Sequence, residues 1–197
     1  MYSIPIYGTY RKLCHIGYDE SNFNFRNYVL FRFFSRKKIF YWPKSKTCAY
    51  KHPENFRIGK NSVIFKNGCY IQGVGELIVG DYVQFATNIG VITANHDVNN
   101  QSAHIKGRVE IGDFCWIGMN SIILPNVTLG PRTVVGAGSV VTKSFPEGFC
   151  VIAGNPARKI KNLDPALFVK PQFQYEAYGW ILADEFEKFQ KKHLILK

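Results

Sequence analysis

The sequence predicts a mainly β protein wound as a parallel β-helix, and three observations in one stretch carry that prediction. Residues 111–146 divide into hexamers, IGDFCW-IGMNSI-ILPNVT-LGPRTV-VGAGSV-VTKSFP, each opening on an aliphatic residue: Ile111, Ile117, Ile123, Leu129, Val135 and Val141. The second position is mostly glycine, at Gly112, Gly118, Gly130 and Gly136, with Leu124 and Thr142 as the departures. Two residues before each later aliphatic stands a small or β-branched side chain: Cys115, Ser121, Val127, Thr133 or Ser139. A short fixed period marks stacked repeats, none able to bury its apolar face alone. A hexamer is too short for a helical hairpin, and β-branched residues punctuated by glycine favour short strands joined by turns. Three hexamers then close one triangular turn, with the aliphatic residues inside.

Taken in order, the chain begins with a basic aromatic segment, residues 1–57, which has no clear period. It is expected to cap the open end of the repeat array, whose last coil otherwise exposes an apolar edge. Within it, Asn24 to Phe40 spaces Tyr28, Phe31 and Phe34 or Ser35 as one face of a short amphipathic helix; a helix lying on a membrane surface is the alternative reading. The β-helix is expected over 58–146. It enters less cleanly, at Ile58, Ile64 and Tyr70, with Phe56, Ser62 and Gly68 two places ahead. Gly73, Gly75 and their neighbours shift the register, and it resumes at Val79, Phe85 and Val91 with Leu77, Val83 and Ile89 preceding them. Between Val91 and Ile111 the phase is lost, which predicts a loop, residues 97–107, extruded from a corner of the coil. Loops held on a rigid scaffold are where function concentrates. Residues 147–197 should supply a strand, a Gly154-Asn155-Pro156 turn and a basic run, then a helix over 176–193. In that helix Tyr178, Leu182, Phe186, Phe189 and His193 share one face, with Asp184–Lys188 and Glu187–Lys191 as i,i+4 pairs on the other.

Composition narrows the class. The 197 residues carry a formal net charge of +11, and 46% are hydrophobic, as in a globular protein with a real core. Residues 1–57 hold 11 Lys and Arg against 3 Asp and Glu, so most of the excess lies outside the repeat. That bias suits an anionic partner, such as lipid head groups, diphosphate carriers or acidic glycans. No nucleic-acid motif accompanies it, and no nucleic-acid partner is expected. No apolar run reaches transmembrane length, and the N-terminus lacks the basic-then-apolar order of a secretory signal. The five cysteines are odd in number and scattered, with no CxxC pair, and read as reduced thiols. A cytoplasmic protein is therefore expected, one that could associate with the inner face of the membrane. The five histidines show no zinc-type spacing, so no metal is expected.

Several segments together carry a family resemblance: the hexapeptide repeat, Thr93-Ala94-Asn95-His96-Asp97 before the loop, the IGDFCWIG restart, VVGAGSVVTKSFP and the closing AGNPARKIK. Over about residues 56–163 they resemble the hexapeptide-repeat acyltransferases, in the branch of sugar and polysaccharide O-acetyltransferases that includes maltose, galactoside and xenobiotic acetyltransferases. The resemblance implies a left-handed coil, a homotrimer with active sites between subunits, and acetyl-CoA as co-substrate. It implies a transferase that acetylates a hydroxyl on a sugar of a surface polysaccharide or its lipid-linked precursor. His96 is then the general base, a role for which imidazole titrates in the right range. His104 could touch substrate or assist the base, and Asp97 could orient the loop, although adjacent side chains usually diverge and a local turn bond is the plainer role. Matching the family position by position puts Trp116 beside the cleft, Met119, Ala137, Thr142 and Lys143 along the cofactor, and Arg158 and Lys161 at its phosphates. Met119 departs from the small or hydroxylated residue frequent in the family. Three alternatives stay open: an amino-sugar N-acetyltransferase, a serine or other small-molecule acetyltransferase of the same fold, and a non-catalytic trimeric scaffold binding membranes or acidic glycans.

Overall fold

A computed structural model describes residues 5–14, 25–34 and 40–194. Its body is a parallel β-helix, climbed here coil by coil. The first coil carries β1 (Ala49–Lys51) and β2 (Phe56–Ile58), and the second β3 (Tyr70–Gln72), β4 (Glu76–Val79) and β5 (Gln84–Phe85). In the third, β6 (Gly90–Val91) is separated from β9 (Arg108–Ile111) and β10 (Trp116–Ile117) by an excursion through β7 (Ala94–His96) and β8 (His104–Lys106). The fourth has β11 (Ile122–Ile123), β12 (Thr128–Leu129) and β13 (Val134–Val135), and the fifth β14 (Val140–Val141) and β15 (Cys150–Gly154). Each face is one parallel sheet: β1-β3-β6-β11-β14 (face A), β2-β4-β9-β12 (face B) and β5-β10-β13-β15 (face C). A sixteenth strand, β16 (Ala157–Asn162), turns back antiparallel along β15 and ends face C. The stack therefore starts at Ala49 and reaches Gly154, beyond both ends of the clean hexamer run.

The hexamer positions sort by burial as the period requires. Ile111, Ile117, Ile123, Leu129, Val135 and Val141 are buried, and so are Cys115, Ser121, Val127, Thr133 and Ser139. The small residues turn tightly inside, and their hydroxyls are satisfied: Ser121 Oγ donates to Gly136 O (3.0 Å) and Thr133 Oγ1 to Gly130 O (2.8 Å). Burying a hydroxyl without such a partner costs roughly 1–3 kcal/mol. One register expectation fails. Ile71 and Cys69 point inward in the second coil rather than Tyr70 and Gly68, because Phe65 takes an extra buried place after Ile64 and moves the phase by one.

The corner between faces B and C is unusual. It stacks Asn61, Tyr82, Phe114, Arg132 and Phe149, all with left-handed backbone (φ 54°, 58°, 57°, 58° and 43°). Bulky side chains rarely adopt that conformation, so neighbours must hold it. A returning strap, residues 163–176, does so from top to bottom. Leu163 N–H donates to Phe149 O (2.7 Å), and the Arg132 guanidinium lies 4.1 Å from the Phe168 ring centre. Phe168 meets Phe114 edge-on (5.0 Å), Phe173 stacks on Tyr82 (5.7 Å), and Tyr82 stacks on Phe114 (4.9 Å). At the bottom Lys60 Nζ pairs with Glu176 (2.7 Å), and the Tyr82 hydroxyl donates to the same carboxylate. Those two donors hold the Glu176 carboxyl below its ordinary range.

The strap feeds a small second core. Residues 176–193 are not one helix: β17 (Ala177–Tyr178) and β18 (Ile181–Leu182) form a hairpin, and the helix runs only from Ala183 to His193. Gly179 is the reason, since it sits at φ +58° where any Cβ would run into the Tyr41 carbonyl. Phe186 and Phe189 of the helix face inward as the period requires, and Glu187–Lys191 pairs at 2.6 Å. Trp180, Ile181, Leu182 and Phe189 bury against Leu13 of helix Pro5–Cys14 and against Tyr28 and Phe31. Tyr28 and Phe31 belong to a shorter helical piece than expected, α-helical over Phe25–Val29 and π-helical over Leu30–Phe34; residues 24 and 35–39 of the expected helix lie outside the described residues.

Candidate functional site

The lapse between Val91 and Ile111 is a hairpin that leaves the coil at the corner between faces A and B. β7 and β8 pair antiparallel, with His96 opposite His104 and Ala94 opposite Lys106. Its root is fixed by the buried Thr93, whose Oγ1 donates to Gln72 O (3.0 Å), while Gln72 Oε1 accepts from Ala94 N–H (2.9 Å). Gln72 thus ties the hairpin to the coil below.

Cross-strand pairing brings the His96 and His104 rings together, with centres 4.3 Å apart. Both side chains are exposed. His96 Nδ1 lies 2.6 Å from the Gln101 carbonyl oxygen. A carbonyl can only accept, so Nδ1 must carry the proton. In the neutral ring that leaves Nε2 with its lone pair free on the far side. A general base needs this tautomer, and here the turn of its own hairpin sets it. Asp97 serves that turn: Oδ1 accepts from Asn99 N–H (2.7 Å) and Asn100 N–H (3.3 Å). This is a local Asx turn.

The remaining sequence candidates are all exposed, and the fold distributes them over two edges. Thr142 and Lys143 follow β14 on the same A–B corner as the hairpin, two coils above it. Trp116 stands on face C, in register between Gln84 and Val134, with Met119 and Ala137 at the neighbouring C–A corner. Arg158 and Lys161 lie on β16 at the top of face C. One chain therefore joins His96, His104, Asp97, Thr142 and Lys143 on one edge, and Trp116, Met119, Ala137, Arg158 and Lys161 on another. The first set lies at the A–B corner, and the second on face C and its C–A corner.

A cleft of about 380 Å³ opens beside Trp116. Lys66, Gln84, Trp116 and Arg132 line it on the coil side, and Val169 and Pro171 of the strap form the opposite wall. Sequence reasoning missed Lys66 and Arg132, since their proximity depends on a strap that carries no motif. Among the described residues, no group of three or more His, Cys, Asp or Glu side chains is placed to hold a metal ion, and no helix is long and apolar enough to cross a membrane.

A family model of six bacterial transferase hexapeptide repeats matches residues 103–143. A Staphylococcus aureus protein that bears the provisional name of acetyltransferase is 37% identical over 114 residues, 56% of each chain. The chain thus spans about half the length of the curated relatives it matches. Among solved structures, a maltose O-acetyltransferase from Clostridium difficile is similar at 29% identity with a TM-score of 0.61, covering 81% of this chain and 85% of that one. A hexapeptide-repeat acetyltransferase from Vibrio cholerae in complex with acetyl-coenzyme A is similar at 25% identity with a TM-score of 0.59, covering 82% and 91%.

Proposed function

We propose that this hexapeptide-repeat chain is an acetyl-CoA-dependent O-acetyltransferase acting on a sugar hydroxyl, with His96 as general base. The observation that carries the proposal is the Nδ1–Gln101 bond, which leaves Nε2 as an outward-facing lone pair on a rigidly rooted hairpin. His96 Nε2 takes the acceptor's hydroxyl proton as that oxygen bonds to the acetyl carbon. The thioester carbon–sulfur bond breaks, and the proton passes to the departing sulfur, so the products are an acetyl ester and a thiol. His104, packed against the base at a tilt, and Asp97, which shapes the turn, hold the ring in place.

The co-substrate fits the second edge. Met119 and Ala137 line its path, Arg158 and Lys161 supply cations for phosphate, and Trp116 stands beside the cleft on the acceptor's side. Thr142 and Lys143 sit on the histidine's edge and would meet the same molecule from a neighbouring chain. The split of the candidates supports a homotrimer, in which the hairpin of one copy meets face C of the next and completes the site. We place the coil in the left-handed class, the extruded hairpin at each subunit boundary, and the N-terminal segment as a cap. The acceptor is a saccharide of a surface polysaccharide or its precursor, and the basic N-terminal segment suits an anionic carrier. The comparisons with the Clostridium difficile and Vibrio cholerae structures support this reading.

The test is ligand-linked stability followed by turnover. Acetyl-CoA should raise the melting temperature saturably, and radiolabelled acetyl groups should move to a saccharide in preference to serine or an amino sugar. Failure of acetyl-CoA to protect would leave a scaffold rather than an enzyme.

A further inference from the structure

We infer that the cleft beside Trp116 is an acceptor subsite for an anionic saccharide, one bearing a carboxylate on its ring. The inference rests on the reading above of Trp116 as a neighbour of the acetyl-transfer site, and it names the substrate class that site would take. Volume comes first. About 380 Å³ lies at the lower end of the range for small-molecule pockets and suits one or two sugar rings. Shape comes next. Trp116 is 56% exposed although its neighbours in register, Gln84 and Val134, are half-buried, so an open indole face flanks the cavity. A flat aromatic face with a polar amide beside it matches a sugar, which presents C–H bonds on its face and hydroxyls at its edge.

Charge decides the class. Two cations line the cavity, Lys66 from the first coil and Arg132 from the fourth, and among the described residues no carboxylate does. Lys66 is 8% exposed, and burial lowers its pKa. The Arg132 guanidinium lies 4.1 Å from the Phe168 ring centre, which holds its planar fork at the cavity wall. A carboxylate matches the geometry of a guanidinium better than any neutral group. The acidic side chains of the same corner have other partners: Asp113 Oδ1 accepts from the Asp81 N–H (2.8 Å), Asp81 Oδ1 from the Lys60 N–H (2.9 Å), and Glu176 from Lys60 and Tyr82. The strap thus builds a cationic pocket with an aromatic wall.

The experiment compares methyl β-glucuronide with methyl β-glucoside by calorimetric titration of the full chain. The wild type should bind the glucuronide at least about tenfold more tightly, the size of one charge-assisted hydrogen bond. Added salt should weaken the glucuronide alone, a readout that needs no variant. Arg132→Gln should abolish the preference, and His96→Ala should keep it. Equal affinities, no binding of either glycoside, as when a second copy fills the cleft, or a preference intact in Arg132→Gln would each overturn the inference. The two readings fail separately. Acetyl transfer to both glycosides with equal affinity overturns the subsite and leaves the acetyltransferase. Selective glucuronide binding without any acetyl transfer supports the subsite and removes the acetyltransferase.

Discussion

Trp116 and Ile117 are consecutive residues of one two-residue strand that face opposite ways, and replacing each separates scaffold from site. Ile117 is fully buried between Phe85 below and Val135 above. Ile117→Ala removes three carbons from a closed column, a change that costs about 2–5 kcal/mol through lost transfer energy plus cavity. At about 2–4 °C per kcal/mol for a chain of this size, the melting temperature should fall by about 10 °C. Trp116 is more than half exposed, so less than half of its surface is buried, and leucine replaces part of that. At ~25 cal/mol per Å² over a few tens of Å², Trp116→Leu should cost only about 1 kcal/mol, or roughly 2–4 °C. Thermal unfolding followed by circular dichroism gives both values, and acetyl-CoA and glycoside titrations of the same samples give the complement: binding weakened in Trp116→Leu and kept in Ile117→Ala below its transition. A melting temperature that falls as far for Trp116→Leu as for Ile117→Ala would refute the inward–outward assignment of face C.

Two further outcomes follow from groups away from that strand. Glu176 is held below its ordinary pKa of 4.5 by donation from Lys60 and then from Tyr82, so its contribution to stability is present above that value and lost as pH falls through the lower, folded-state pKa. The stability difference between wild type and Glu176→Gln should therefore be constant near neutrality and shrink in acid; burial, and in the wild type also the Glu176 charge, raises Asp81, which acts in the opposite sense. A difference that persists in strong acid would assign Glu176 a packing role instead. The thiols of Cys48, Cys69, Cys115 and Cys150 are buried, and burial pushes Cys115 and Cys48 up to about 12. An aromatic disulfide reagent at mildly alkaline pH should consequently titrate Cys14 alone in the native protein, and all five after denaturation.

What the sequence could reveal depended on whether a constraint was local. Ile111 to Val141 are legible because every coil imposes the same demand on the same place: an aliphatic inside, a small residue two before it, and glycine where backbones approach. The loss of phase after Val91 was equally visible, and His96 stood out at its edge. The opening coils were harder. Phe65 adds one buried residue, a shift that composition alone does not mark, so Tyr70 takes the phase that belongs to Ile71. The stretch 177–182 satisfies a helical and a strand period at once, and only Gly179 distinguishes them. Nothing local announces that Tyr82, Phe114 and Arg132 adopt left-handed backbone, where glycine or asparagine is the usual choice. Their conformation is held by Phe168 and Phe173, far along the chain, and the cleft with Lys66 exists only because that strap returns. For the same reason the division of the candidates into two edges was invisible: the period reports which residues point out, but not which corner they occupy.

The central claim is that His96 carries the proton, and steady-state acetyl transfer by His96→Ala tests it most directly. The variant should keep its circular dichroism spectrum and its protection by acetyl-CoA while the rate falls about 10²–10⁴-fold, the usual contribution of a positioned general base. A rate within about twofold of the wild type, from a variant that still binds acetyl-CoA, would contradict the account, because that magnitude leaves no room for general-base catalysis at this position.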